Sequence, residues 1–211
     1  MDTPENRTFV AEVIQDTLDK STSDILAQIE IDGWEGYAKL LDKPNEDLIR
    51  EIKTKGVCCL SGSNDSILMW GHYADGHKGM VIEYDTARYP FCDHLTPVTY
   101  SDGYCKFSIG QLTQKISECV EQIVTQKSSD WKYEEEFRMI HHRNNCRFAQ
   151  KIDPRSIVGV YFGARCNEQQ REIACRLTAH LKPRYFNAQI NSNRYEVTFE
   201  EYSYLPSSIP P

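Results

Sequence analysis

The sequence lacks several features that would place it at once in a familiar class of protein. No apolar run approaches the roughly 20 residues that a membrane helix needs. No G-x-G-x-x-G motif is present, so a Rossmann dinucleotide site is not indicated. No CxxC pair occurs, which leaves a structural zinc site with little support. Internal repeats and low-complexity linkers are also missing, and we therefore expect a globular protein that does not enter a membrane.

The amino-acid composition is ordinary for a globular protein, but the net charge is clearly negative. The 211 residues are 40% hydrophobic and 26% charged, with a formal net charge of -7. An acidic chain lacks the electrostatic footprint of a nonspecific nucleic-acid binder, although residues 139–148 form a local basic patch or a solvated turn. We expect one domain over residues 1–211, with a helical segment at 8–54, a mixed-sheet core at 56–202 and a flexible tail at 203–211.

The eight cysteines are expected to be reduced. The first residues, MDTPENRTF, do not resemble a secretory leader, so we expect a cytoplasmic protein with free thiols and no bound metal. Cys58, Cys59 and Cys119 lie in apolar patterns and are predicted to be small core residues.

Apolar spacing predicts an α+β fold with helices at the front and a mixed, mainly antiparallel sheet with flanking helices behind. Helical spacing covers 8–54, with breaks near Ser21, Gly33 and Pro44, and returns at 109–123. Asn167 is predicted to cap a later helix whose apolar stripe includes Ile173 and Leu177. The predicted strands are residues 56–61, 79–85, 156–164, 184–190 and 195–200.

The stretch WKYEEEFRMI, residues 131–140, crowds three glutamates between aromatic residues. Aromatics at alternate positions predict a strand, in which Glu134 and Glu136 would lie roughly 7 Å apart on one face. Arg138 would follow one step further along that face. Two carboxylates and a cation there could stabilise a developing positive charge and activate a nucleophile. The alternative is a solvated edge strand whose charges discourage pairing with other chains.

A second cluster, LMWGHYADGHKG, spans residues 68–79. His72 and Tyr73 would supply hydrogen-bonding groups and a stacking face, while glycines would let a ligand approach the backbone. A metal site is not supported, since the histidine spacing matches no standard motif. The alternative is a helix C-terminus with a cationic cap, His77 and Lys78. The candidate ligand-binding residues are Trp70, His72, Tyr73, His77 and Arg138, and the candidate catalytic residues are Glu134 and Glu136.

These motifs, in this order, resemble a known family. ILMWGHYADGHKGMVIEYD, VTY, WKYEEEFRMI and IVGVYFGARC are similar to the bacterial family called domain of unknown function 2971, over roughly residues 56–200. The resemblance implies a short Tyr-containing strand and an Asn-Asp-Pro type loop at the front. MDTPENRTF shows neither clearly, so we expect either a shortened member that lacks the usual N-terminal strand or a sequence start that omits it.

The layout of that family is similar to ADP-ribosyltransferases, and this analogy implies roles for the glutamates. Glu136 would hold the nicotinamide-ribose hydroxyls of NAD and stabilise an oxocarbenium ion. Glu134 would activate the acceptor, and His72 and Tyr73 would line the nicotinamide pocket.

Three functions follow from these residues. The first is a noncatalytic module that binds an unknown small molecule or protein. The second is an NAD-consuming transferase or glycohydrolase, such as a toxin or phage-defence effector, with NAD as substrate and no other cofactor. The third is a nuclease that uses His72, His141, His142 and the glutamates. The acidic net charge speaks against nucleic acid as a partner.

Overall fold

The computed structural model describes residues 33–142 and 151–205, together with residues 27, 30 and 31. The chain divides into two compact units, each assembled from separate stretches of sequence. Unit 1 takes its residues from 1–57, 98–129 and 140–147, and unit 2 takes its residues from 58–97, 130–139 and 148–211. The single-domain organisation stays a prediction.

Unit 1 is mainly helical. Its elements are α1 (Trp34–Ile52), β4 (Thr99–Ser101), α4 (Ile109–Gln114), α5 (Ile116–Thr125) and β5 (Gln126–Ser128). α1 packs against α4 and α5, and β4 pairs with β5 in parallel. Cys119 and Val120 on α5 are buried, as predicted for Cys119.

Two predictions for unit 1 are wrong. α1 continues through Pro44, where a break was predicted, and burial of the proline ring offsets part of the cost of the missing N–H. The predicted helix at 109–123 is two helices, because Lys115 leaves the helical conformation between them (φ -136°, ψ 36°). A capping box at Ser108 and Gln111 starts the first of the two. The break predicted near Ser21 lies outside the described residues.

Unit 2 is built on a four-stranded mixed sheet. Its strands are β2 (Met80–Tyr84), β7 (Ile157–Phe162), β8 (Arg184–Ile190) and β9 (Val197–Glu201), in the order β2-β7-β8-β9. β7 and β8 are parallel, and the two outer pairs are antiparallel. The strands predicted at 79–85, 156–164, 184–190 and 195–200 are confirmed. Helices of unit 2 are α2 (Ile67–Tyr73), α3 (Phe91–His94) and α6 (Glu168–Thr178).

Each face of this sheet carries its own hydrophobic cluster. Val160 and Phe162 pack with Cys175 of α6 on one face, whereas Tyr161 packs with Trp70 of α2 on the other. Successive residues of β7 thus serve opposite faces, as strand geometry requires. Helix α6 begins at its predicted cap, since the Asn167 side chain accepts a hydrogen bond from the Gln170 backbone N–H at 2.8 Å.

The apolar stripe predicted for α6 does not face the core. Ile173 and Leu177 are 51% and 69% exposed, and the buried residues are Ala174 and Cys175. Small side chains let a helix lie close to a sheet, so packing here follows size rather than hydrophobicity alone.

A second sheet has the order β1-β6-β3, formed by β1 (Lys55–Ser61), β6 (Glu136–His142) and β3 (Leu95–Pro97). β3 and β6 are antiparallel, with Leu95 opposite Met139. Strand β1 confirms the strand predicted at 56–61. Its cysteines correct another prediction, however, because Cys58 and Cys59 are exposed and not core residues.

All seven cysteines within the described residues are free, and Cys146 lies outside them. Of the helices that the structure describes, none combines the length and the apolar character that crossing a bilayer requires.

Candidate functional site

Helix α2 positions the first group of predicted site residues. Ser66 caps the helix by accepting a hydrogen bond from the Met69 N–H. Trp70 is 1% exposed, and its indole N–H donates to the Asn64 carbonyl at 2.6 Å. The helix ends at Tyr73, and both His72 and Tyr73 are exposed.

A tight turn after α2 carries His77 inward. Asp75, Gly76 and His77 all have positive φ, at 48°, 59° and 69°. The His77 ring stacks on Trp70 with 6.3 Å between centroids and 8° between planes. Burial, followed by the charge of Arg165, lowers the pKa of His77, which disfavours the predicted cationic cap. The structure places Trp70 and His77 in the packing of unit 2.

Gly163, which follows the end of β7, packs directly against this turn. A Cβ atom at Gly163 would lie 2.2 Å from the His77 carbonyl oxygen, and the Arg165 N–H donates to that oxygen at 2.9 Å. Only glycine allows this close approach of two backbones.

The stretch WKYEEEFRMI adopts two conformations, which corrects the prediction of one strand over 131–140. Ser129–Glu134 is a 3₁₀ helix, and the strand β6 begins only at Glu136. Glu135 between them has a left-handed backbone, with φ 46°. Hydrogen bonds from the end of β1 and the residue after it hold this turn: the Ser61 hydroxyl donates to the Glu134 carbonyl at 2.7 Å, and the Gly62 N–H donates to the Glu135 carbonyl at 2.8 Å. The strand spacing predicted for Glu134 and Glu136 therefore does not apply.

The turn buries the Glu134 side chain beneath α2. Glu134 is 3% exposed, and its Oε1 accepts a hydrogen bond from the Tyr73 hydroxyl at 2.9 Å. The His72 ring lies 6.4 Å from the Trp131 ring and 6.4 Å from the Tyr73 ring, between centroids. Tyr73 is 65% exposed and Trp131 is 39% exposed. We call His72, Tyr73 and Trp131 the aromatic surface, and the buried carboxylate of Glu134 lies against it.

Glu136 and Arg138 form a buried ion pair on β6. The Arg138 Nε donates to Oε1 of Glu136 at 2.8 Å, and Nη2 donates to Oε2 at 3.0 Å. The side chains are 5% exposed for Glu136 and 15% exposed for Arg138. The hydrogen bond to Glu136 raises the pKa of Arg138. This bidentate contact uses both oxygens of Glu136, the carboxylate predicted to be catalytic. The convergence of Glu136 with His72 and Tyr73 stays a prediction.

A cysteine thiol adjoins this pair. Although the residue is exposed as a whole, partial desolvation of its sulfur, then hydrogen bonding and repulsion from Glu136, raise the pKa of Cys59 from 9.0 to about 11, against the opposing charge of Arg138. A thiol with this pKa stays protonated at neutral pH, so Cys59 is a poor nucleophile.

Two polar residues that line a cavity in unit 2, Glu83 and Tyr161, were not predicted as site residues from the sequence. None of the predicted site residues is among the described residues that line it. The alternation in GMVIEYD, which puts the acidic Glu83 on the same face as Val81, was the available signal. Elsewhere in the described part of the chain, no group of three or more His, Cys, Asp or Glu residues could hold a metal ion.

Residues 69–139 match the family described as Protein of unknown function (DUF2971). Over these residues, called the DUF2971 segment below, the chain is similar to that family. This confirms the predicted resemblance over the part of the chain that holds both motifs. The DUF2971 segment runs from α2 into β6, so Tyr73, Trp131 and Glu134 all lie within it. No curated protein and no solved structure matches the chain.

Proposed function

We propose that this protein is a noncatalytic binding module that holds a ligand with a planar ring on the aromatic surface. The observation that carries the proposal is the 2.9 Å hydrogen bond between the Tyr73 hydroxyl and the Glu134 carboxylate. It joins the two most distinctive motifs of the sequence at one exposed place. The rest of the molecule supplies the scaffold that fixes this contact.

The aromatic surface is suited to stacking. Tyr73 and Trp131 expose large parts of their rings, although both contact the His72 ring and Tyr73 also bonds to Glu134. Rings that are already held in place lose little conformational entropy when a ligand stacks on them. Aromatic side chains that stack on a nucleobase contribute about 1–3 kcal/mol each. A ring-bearing small molecule is therefore the ligand class that fits.

The buried glutamate explains why the tyrosine hydroxyl matters. A carboxylate that is 3% exposed needs hydrogen-bond donors to offset its lost hydration, and Tyr73 is one donor. The same bond orients the tyrosine ring for a ligand above it. Binding and local stability are thus coupled at Tyr73.

The test is a calorimetric titration of the full chain with adenosine and with NAD, both of which carry planar rings. We expect binding that Trp131→Ala weakens by about tenfold, the loss of roughly one stacking contact. The matched control is Tyr195→Ala, since Tyr195 is 96% exposed in unit 2 and outside the aromatic surface. If Trp131→Ala and Tyr195→Ala bind both compounds as the unchanged chain does, the proposal is wrong.

The second candidate is an NAD-consuming enzyme of the ADP-ribosyltransferase kind, with a toxin or phage-defence role. It is favoured by the burial of two acidic side chains, Glu134 and Glu136, close together in the DUF2971 segment. Against it stands the Arg138 side chain, which occupies both Glu136 oxygens. Release of nicotinamide from NAD by the purified chain, abolished in Glu136→Gln, would favour the enzyme over the binding module.

A further inference from the structure

Unit 2 contains a cavity of about 550 Å³ that none of the predicted site residues lines. It is bounded by consecutive residues at the end of β1 and the start of the following loop, by β2, and by Tyr161 of β7. Its volume lies within the range of small-molecule sites, about 300–1,000 Å³.

The polar end of the cavity is formed by Glu83 and Tyr161. Oε2 of Glu83 accepts a hydrogen bond from the Tyr161 hydroxyl at 2.7 Å. No described residue donates to Oε1 of Glu83, which leaves that oxygen as an acceptor for a ligand. Gly159 makes room for this arrangement, because a Cβ atom there would lie 2.4 Å from Oε2 of Glu83.

At this end of the cavity, the group open to a ligand is the Glu83 carboxylate, which is an acceptor. Burial, and then Glu83 itself, raise the pKa of Tyr161 to about 12, so its hydroxyl keeps its proton and donates it to Glu83. Glu83 is the one charged side chain among the described residues that line the cavity. A ligand that contacts Glu83 must bring a donor, and a positive charge matches the carboxylate best.

Apolar side chains form one side of the cavity, although polar residues line it as well. Ile82 and Phe137 line it and are 39% and 38% exposed, and Tyr84 and Leu95 complete this side. A few convergent polar groups beside apolar walls are typical of small-molecule sites.

We propose that this cavity binds a small organic ammonium compound, with its charged nitrogen at the Glu83 carboxylate and its apolar body against Tyr84 and Phe137. The site is separate from the aromatic surface and does not depend on the function proposed for it. The neutral alcohol of the same shape lacks the charge, and a hydrogen bond to a charged partner accounts for about ten- to a hundredfold in affinity.

The test uses the full chain and two probes of matched shape, 2-phenylethylamine and 2-phenylethanol, in calorimetric titrations at neutral pH. We expect the amine to bind about ten- to a hundredfold more tightly than the alcohol. Glu83→Gln, which keeps the side-chain shape, should remove this preference. Glu201→Gln, an exposed carboxylate on β9, should leave it unchanged. Gly159→Ala should weaken amine binding, because the added methyl displaces the Glu83 carboxylate.

Melting temperatures of all variants show whether each one is folded. Equal affinities for the two probes, binding of neither probe, or an amine preference that survives in folded Glu83→Gln would overturn the proposal. Trp131→Ala locates the site. Loss of amine binding in that variant would place the ammonium on the aromatic surface and contradict the cavity assignment, whereas unchanged binding supports it.

Discussion

The Tyr73 hydroxyl donates a hydrogen bond of 2.9 Å to Oε1 of Glu134, although 61 positions of sequence separate the two residues. The donor lies on the exposed end of a helix, and the acceptor is 3% exposed at the end of a 3₁₀ helix. This contact brings HYADGHKG and WKYEEEFRMI together.

Tyr73→Phe should destabilise the protein by about 1–2 kcal/mol, because a buried carboxylate loses one donor while the ring is kept. Urea denaturation followed by circular dichroism measures the change. The control is Tyr195→Phe, which removes the hydroxyl of a tyrosine that is 96% exposed and should change stability little. If both variants change the free energy of unfolding equally, the Tyr73 hydroxyl contributes no more to stability than a solvent-exposed hydroxyl does.

The pair of Glu136 and Arg138 should behave as a coupled unit. Arg138→Met should cost about 3 kcal/mol, since it removes the bidentate partner of a carboxylate that is 5% exposed. The double variant Glu136→Gln with Arg138→Met should recover part of that loss. A double-mutant cycle on the free energy of unfolding measures the coupling.

The exposed ion pair of Arg155 and Asp153 is the control for that double-mutant cycle. Arg155 contacts Asp153 at 2.8 Å but is 77% exposed, so Arg155→Met should cost less than about 1 kcal/mol. Strictly additive effects at Glu136 and Arg138 would contradict the coupling.

Cys59 should react slowly with iodoacetamide in the folded protein. With a pKa raised from 9.0 to about 11, its thiolate fraction near pH 8 is about a hundredfold below that of an unfolded cysteine. Mass spectrometry of the Cys59 peptide, in native and urea-unfolded protein, gives the two rates. Glu136→Gln should raise the native rate, because it removes a charge that disfavours the thiolate. A native rate that levels off near pH 9 would refute the raised pKa.

The same shift has a consequence for stability in alkali. The pKa of Cys59 is higher in the folded protein than in the unfolded chain, so its contribution to stability is fully present below pH 9.0. That contribution is lost as the pH rises from 9.0 through about 11.

His77 gives the opposite pH dependence. Its pKa is lowered from 6.5 by burial, so its contribution to stability is present above about pH 6.5 and is lost as the pH falls below that value. Melting temperatures from about pH 8 to pH 5 should therefore fall less steeply in His77→Asn than in the unchanged chain. Asparagine tolerates the positive φ of this position, so the turn is kept. Parallel curves for the two proteins would assign the acid sensitivity to other groups.

The sequence predicted the elements whose pattern is local. The strands of unit 2 and the Asn167 cap follow directly from apolar runs and a capping residue. The continuation of α1 through Pro44 could not be read in this way, because tertiary burial outweighs a local helix breaker. The exposure of Ile173 likewise depends on how closely α6 approaches the sheet.

The candidate site was predictable in composition but not in geometry. The motif residues named from the sequence do include Tyr73 and Glu134, which meet. The left-handed conformation of Glu135 was not visible, since it is held by hydrogen bonds from the distant residues Ser61 and Gly62. Contacts of this kind carry no local sequence signal, and the one-strand prediction for 131–140 failed for that reason.

The most direct measurement of the central claim is an NMR titration of the full chain with adenosine, with assigned signals of the Trp131 indole and of the rings of His72 and Tyr73. The account predicts that these three side chains shift together and saturate at one concentration. Signals of Tyr195 and Tyr104, exposed tyrosines far from this motif in sequence, should stay unchanged. Shifts spread evenly over all exposed tyrosines, or no shift at Trp131, would contradict the claim that the two motifs form one binding surface.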